Sequence, residues 1–403
     1  MQSNIQEGFL SSDDAARARG IVRSCVHCGF CSAVCPTYLL DGDERDSPRG
    51  RIYLINEMLT AGAPSATTLR HLDRCLTCRA CETACPSGVQ YGELADIGRR
   101  AAEPARTMPS TWWRFLLCEI FGNAKLMRTA AAALSLTRLL LPSAWRTHFR
   151  RRRLPIIDSD HRRKVIMLAG CVESALSPQT SAALVAVLDA VGVGVINSHA
   201  SGCCGALRFH ANRQAAGLDD MRRNVAAWAP LLQSGEAEAV VMTASGCDSM
   251  VREYGHLLNT PQAKMVQEKT MSIVEFLERE WAALADKLAP PQQKNVAYHS
   301  PCTMQNSLSL GGRVEALLRR AGYDVAPLAD GGRCCGSAGM YSILQPQRAR
   351  RLRRQKLRHI ANTGAPLVAT ANIGCQLFML AGGAPVVHYL ELLAEQIPPS
   401  KSG

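Results

Sequence analysis

The chain has 403 residues, enough for two or three domains with cores of their own. Its content of 47% hydrophobic and 20% charged residues is that of a globular protein, which excludes a disordered chain. The net charge of +12 is uneven: residues 1–100 carry 11 basic and 12 acidic side chains, whereas residues 101–164 carry 13 and 4. No reading motif accompanies that basic segment, so no nucleic-acid partner is expected. The most apolar stretch, Ala131 to Leu141, is interrupted by Arg138 and falls far short of the ~20 residues a spanning helix needs. Seventeen cysteines follow a polar start, Met1 to Glu7, that lacks a secretory pattern. They are therefore expected to be metal ligands in a reducing cytosol rather than a disulfide framework.

In chain order, residues 1–24 predict a short lead-in helix with Ser12 and Asp13 as candidate caps. Cys25-Val-His-Cys28-Gly-Phe-Cys31-Ser-Ala-Val-Cys35-Pro36 comes next. It returns as Cys75-Leu-Thr-Cys78-Arg-Ala-Cys81-Glu-Thr-Ala-Cys85-Pro86, each cysteine 50 positions later. This is C-x2-C-x2-C-x3-C-P, the run that holds 4Fe-4S clusters in two-cluster ferredoxins. Three thiolates on a tight loop reach three irons of one cube. The fourth, at the start of a helix, points the other way. The expected ligation is crossed: Cys25, Cys28, Cys31 and Cys85 hold one cluster, and Cys75, Cys78, Cys81 and Cys35 the other. Gly29 and Ala80 are expected to let backbone N–H groups approach the sulfurs. Cys-x2-Cys pairs also make zinc sites, but four cysteines closed by proline are not zinc-ribbon spacing. His27 reads as a tolerated loop residue.

Between the runs, Asp46-Ser47-Pro48-Arg49-Gly50-Arg51 predicts a helix start, with Ser47 as cap and Pro48 in the first turn. That helix would brace the two loops. Arg49 and Arg51 either offset cluster charge or are solvated. Residues 101–164 place Trp112, Trp113, Phe115, Leu116, Leu117, Ile120 and Phe121, then Leu139 to Leu141 and Trp145, beside Arg150 to Arg153 and Arg162 to Lys164. This suits a helical hairpin packed between domains or docked on a partner. It also suits a helix at an anionic membrane surface. Cys118 reads as a buried, inert thiol.

From Lys164 the pattern is α/β. Val165 to Gly170 predicts a strand ending at Cys171, Ala182 to Leu188 a helix, and Gly194 to Asn197 a second strand before Cys203-Cys204-Gly205. Ala239 to Thr243 predicts a third, leading to Cys247. The order repeats: Asn295 to His299 before Cys302, then Cys334-Cys335-Gly336, then Leu367 to Thr370 before Cys375. The first three cysteines recur 131 positions later and the last 128, so the module is duplicated. Strand-end cysteines converge at the carboxyl edge of a parallel sheet. Cys171, Cys203, Cys204 and Cys247, and Cys302, Cys334, Cys335 and Cys375, are thus candidates for a further metal site or a redox-active dithiol. Gly205 and Gly336 permit the backbone that aims adjacent thiols at one place. Buried structural thiols are the bland alternative. His299 reads as a satisfied strand-end histidine, and the basic run Arg348 to Arg358 as a solvated helix face.

The fold class expected is mixed α+β and α/β. Residues 1–100 form a mainly helical two-cluster ferredoxin-type domain, 101–164 a helical basic linker, and 165–288 and 289–403 two α/β modules. The modules resemble the cysteine-rich CCG domain of heterodisulfide reductase subunits, which binds a non-cubane 4Fe-4S cluster through a closing C-x-x-C. Here Cys247-Asp-Ser-Met250 and Cys375-Gln-Leu-Phe378 lack that closure, which puts such a cluster in doubt. Taken whole, the chain resembles the iron–sulfur subunits of glycolate oxidase (glycolate dehydrogenase). Iron–sulfur subunits for lactate use and anaerobic glycerol-3-phosphate oxidation share the layout. The resemblance implies an electron-transfer subunit with two 4Fe-4S clusters and FAD on a flavoprotein partner. It implies a quinone or other acceptor and a cytoplasmic place at the inner membrane face. The Gly192-Val-Gly194 segment lacks the third glycine of a dinucleotide fingerprint, so flavin and substrate are expected on partner chains. A thiol–disulfide enzyme is the alternative.

Overall fold

The computed structural model describes residues 4–123, 126–129, 161–198 and 200–398. Two compact units divide the chain. One gathers the chain through Leu117 with residues 210–212 and Arg333–Arg354; the other takes the rest. The apolar stretch Leu139 to Trp145 and the run Arg150 to Arg153 lie outside the described residues.

The first unit is helical. Helices Ser12–Ser24, Pro48–Ala61, Ala66–Asp73 and Tyr91–Ala102 close over a core that includes Val22, Ile55, Leu59, Leu72 and Leu94. The first helix is capped one residue earlier than expected. Ser12 is already helical, and the extended Ser11 places its hydroxyl to accept from the Asp14 amide at 3.2 Å. Ser47 caps Pro48–Ala61 as expected, accepting from the Gly50 amide at 3.0 Å. Gly50 is needed there, because a Cβ would stand 2.0 Å from the Glu44 carbonyl oxygen. Helix Met108–Gly122 turns Leu117 and Cys118 inward but leaves Trp112, Trp113, Phe115 and Leu116 exposed.

The second unit holds two parallel sheets. Strands β1 (Arg163–Leu168), β2 (Val193–Ile196), β3 (Val240–Met242) and β4 (Thr270–Ser272) run in the order β2-β1-β3-β4. Strands β5 (Asn295–His299), β6 (Asp324–Ala326), β7 (Val368–Thr370) and β8 (Val386–His388) repeat that order as β6-β5-β7-β8. The duplication read from cysteine spacing is thus a duplication of topology. In β1, Val165 and Met167 face a core shared with Val296, Leu317 and Tyr389 of the second copy. Ile166 and Leu168 face a separate core around Trp228 and Tyr254. This period of two, apolar on both faces, is that of a parallel strand covered by helices on either side. The first strand starts two residues earlier than expected and releases Ala169 and Gly170 to the turn before Cys171.

Candidate functional site

In the helical unit the cysteines surround two cavities. Cys25, Cys28, Cys31 and Cys85 line one, and Cys35, Cys75, Cys78 and Cys81 the other; Cys81 also reaches the first. The crossed sets are therefore each gathered around a common space. Pro48 and Tyr91 border both spaces, and two residues apart at the capped helix start Arg49 borders the first and Arg51 the second. The two runs bend alike: His27 and Gly29, and their counterparts Thr77 and Arg79, all have positive φ, from 53° to 89°. Non-glycine residues held so cost about 1–2 kcal/mol each, and left-handed turns of this kind make concave nests of N–H groups that suit anions and iron–sulfur sites.

The fourth cysteines differ. Cys35 caps helix Pro36–Asp41, as expected, but Cys85 is followed by a turn, because Ser87-Gly88 breaks the chain where Thr37-Tyr38 continues it. Amides reach the sulfurs from Thr77 onto Cys75 and from Val89 onto Cys85, both at 3.4 Å, rather than from Gly29 or Ala80. Cys28 is exposed with Val26 and Phe30 beside it, so the first set reaches the surface at that cysteine. His27 is exposed and gives the site only its carbonyl, which accepts from Arg49 Nη1 at 3.3 Å.

The surroundings of the second set were invisible in the sequence. Arg51 is fully buried. It donates to the His71 carbonyl at 2.8 Å, Thr37 Oγ1 at 3.0 Å and Asp46 Oδ1 at 3.2 Å, with Nη1 4.0 Å from Cys35 Sγ. Asp46 in turn holds His71 Nδ1 at 2.8 Å and pairs with Arg74 and Arg348. Arg99 donates to the Cys75 carbonyl at 2.9 Å. Burial pushes the Cys75 thiol up, but the Arg51 and Arg99 charges bring it below its ordinary range. Burial and neighbouring thiols push Cys81 up. Solvation of Arg51 is thereby overturned, and the basic run is corrected in part: Arg348 and Arg351 bind Asp41, and the buried Lys356 pairs with Asp330 at 2.8 Å.

In the second unit, Cys171, Cys203, Cys204 and Cys247 meet at the carboxyl edge of the first sheet. Cys171 Sγ lies 3.7 Å from Cys203 Sγ, and the Cys204 thiol contacts those of Cys203 and Cys247. The Cys-Cys-Gly turn is clamped by its carbonyls. Asn224 Nδ2 donates to Cys203 at 2.9 Å and the Tyr254 hydroxyl to Cys204 at 2.9 Å. Gly205, at φ +84°, cannot carry a side chain, because a Cβ would meet Gly217 O at 2.6 Å. Thiols on either side, then the Gly205 amide and Arg208, hold Cys203 well below the ordinary thiol range, while Cys171 and Cys204 are pushed up. Thiols in contact from Cys171 through Cys203 and Cys204 to Cys247 are a donor set that suits a soft metal. Met250, at the position of the absent closing cysteine, is buried in the core instead. Glu173, fully buried, is pushed up to about 7 by burial, against hydrogen bonds from Thr243 and Ser181.

The second Cys-Cys-Gly turn is built like the first: the Gly336 amide reaches Cys334 Sγ at 3.4 Å, as that of Gly205 reaches Cys203 Sγ at 3.4 Å, and Gly336 has φ +93°. Cys335 is buried. At the carboxyl edge of the second sheet stand His299, Cys302 and Cys375. His299 is not satisfied: it is fully buried and neither ring nitrogen has a hydrogen-bond partner. Its pKa is driven well down by burial and by the Lys356 charge. Cys118 is buried, as expected.

Comparison with known proteins agrees with this layout. Residues 21–89 match the 4Fe-4S dicluster domain family, and residues 165–252 and 296–380 the cysteine-rich domain family. The chain is 40% identical to the glycolate oxidase iron-sulfur subunit of Escherichia coli, over 98% of this chain and 99% of that one. It is 30% identical to the probable glycolate oxidase iron-sulfur subunit of Bacillus subtilis, over 97% and 96%. Lactate utilization protein A of Shouchella clausii is 26% identical over 52% of this chain and 87% of its own.

Proposed function

Because this chain belongs to the family of glycolate oxidase iron-sulfur subunits, we propose that it carries electrons from an FAD-bearing partner, which oxidises glycolate to glyoxylate, toward a quinone or other acceptor. The observation that carries the reading is the pair of four-cysteine sets around neighbouring cavities, with Pro48 and Tyr91 bordering both. When bound, two 4Fe-4S clusters supply one-electron oxidation and reduction, which a flavin acting on two electrons at once requires of its partner. Cys25, Cys28, Cys31 and Cys85 hold one, and Cys35, Cys75, Cys78 and Cys81 the other. Arg51 and Arg99 offset negative charge at the second set, while the exposed Val26, Cys28 and Phe30 bring the first within reach of a partner.

The functional division follows the sequence: residues 1–100 hold the relay, 101–164 link, and 165–288 and 289–403 are the two cysteine-rich modules. Exposed Trp112, Trp113 and Phe115, followed in the sequence by a basic segment, support a peripheral contact with an anionic membrane on the cytoplasmic side. Among the described residues, no helix is long and apolar enough to cross a membrane.

The test is made on the native complex, captured anaerobically with this chain as bait. Glycolate, lactate and glycerol-3-phosphate are added in turn while cluster reduction is followed by EPR. Prompt reduction by glycolate is expected; reduction by another donor alone would change the substrate. A co-purifying flavoprotein with no donor able to reduce the clusters would end the relay reading. The linked thiols from Cys171 to Cys247 favour one second reading, a thiol–disulfide enzyme. Iron counting separates them: about eight irons leaves those thiols metal-free, and a higher count fills a module.

A further inference from the structure

The two modules differ at one position that their shared topology makes comparable. β1 ends at Leu168 and β5 at His299, each three residues before its strand-end cysteine. Leu168 fills the core around Trp228. His299 occupies the corresponding strand end with no exposed surface and no hydrogen bond to either ring nitrogen. A polar ring buried so would carry the full cost of its lost hydration, and buried polar groups without a protein partner require another explanation, a bound ion among them. One ring nitrogen lies within 4.8 Å of Cys375 Sγ. An imidazole nitrogen without a hydrogen-bond partner offers its lone pair to a metal ion.

We infer that His299 is a metal ligand, completing with Cys375 a mixed nitrogen–sulfur centre for iron in the second module. Among the described residues, the first module brings only sulfur donors together at its sheet edge, a donor set of a different kind. A neutral imidazole in place of a thiolate leaves the centre less negative and raises its potential, as histidine ligation does in two-iron centres. This rests on the iron–sulfur reading only in the choice of iron. A zinc ion bound by the same donors would keep the site and remove it from the electron path.

The test uses the full chain, purified anaerobically, with iron and zinc counted per chain. His299→Leu places the first module's residue in the second, where an apolar side chain of similar bulk fills the space. It is expected to fold, to retain the EPR signals of the clusters at Cys25 to Cys85, and to lose the metal of the second module. His299→Cys is expected to restore that metal. In unmutated protein, labelling with 15N-histidine should change the nitrogen couplings of a paramagnetic centre in pulsed EPR, a readout that needs no variant. Zinc lost in place of iron would overturn the choice of iron. Unchanged iron and zinc in His299→Leu, together with no histidine coupling, would overturn the site itself. Neither result touches the relay reading, which is judged by reduction of the N-terminal clusters.

Discussion

At Arg51 a residue type that is seldom fully buried lies at the centre of an ion network. Its guanidinium ties Asp46, Thr37 and the His71 carbonyl together beside Cys35. Removing one partner of a buried charge group leaves the other uncompensated, at a cost of about 3–5 kcal/mol. Arg74 and Arg348 still hold Asp46, which puts Arg51→Met near the low end of that range. The same substitution takes a positive charge from the second set and not from the first. Potentiometric EPR should show one midpoint falling by roughly 60 mV or more, the one-electron equivalent of tenfold, and the other unmoved. Equal shifts of both midpoints would refute the assignment of Arg51 to one set. None of this was legible in the sequence, where Arg49 and Arg51 look alike. Burial of one and half-burial of the other follow from which side of the helix meets the core, a property of packing. His299 was misread for a related reason: a histidine at a strand end carries no local sign of whether its ring nitrogens find partners.

Among the elements, the cysteine runs were the most legible, because chemistry imposes their spacing and the second copy repeats it. The first three strands of the first module were also readable from their apolar runs. β4, β6 and β8 were not. Each has three residues, too few for a period of two to show, and they become strands through pairing with β3, β5 and β7. The last turn of each module carries its own repeated device. Ser272 with Glu275 and His388 with Glu391 form capping boxes at the start of corresponding helices. The Cys-Cys-Gly turns are the elements on which the thiol sites depend. Gly205→Ala would force a Cβ into the Gly217 carbonyl and an L-residue into a left-handed conformation. A loss of about 1–3 kcal/mol is expected from the backbone conformation, with more from the clash. Denaturant unfolding measures it, and alkylation of Cys203 and Cys204 in the folded variant should quicken. A variant as stable and as slowly alkylated as the parent would show that the turn does not hold the thiols in.

For the molecule as a whole, packing gathers the chain into two units that share it unevenly. The helical unit includes Arg333–Arg354, from which Arg348 reaches Asp41 and Asp46 and Arg351 reaches Asp41. The ferredoxin-type residues are therefore incomplete by themselves. A fragment of residues 1–117 is expected to take up both clusters on reconstitution, yet to melt at lower temperature and lose iron to a chelator faster than the full chain. Arg348→Ala in the full chain should reproduce part of that loss. Equal melting and equal iron retention by the fragment would show that the late segment contributes nothing to the unit.

That late segment also sets a clock. Asp46 leaves the ribosome early, but Arg348 follows after some 300 further residues. At ordinary rates of synthesis, roughly 5–20 residues per second, the carboxylate waits about 15–60 s for its last guanidinium. During that interval Arg51 and Arg74 alone neutralise it. Iron delivered to the nascent chain would meet a half-finished cradle, so cluster insertion is best timed to follow release of the complete polypeptide.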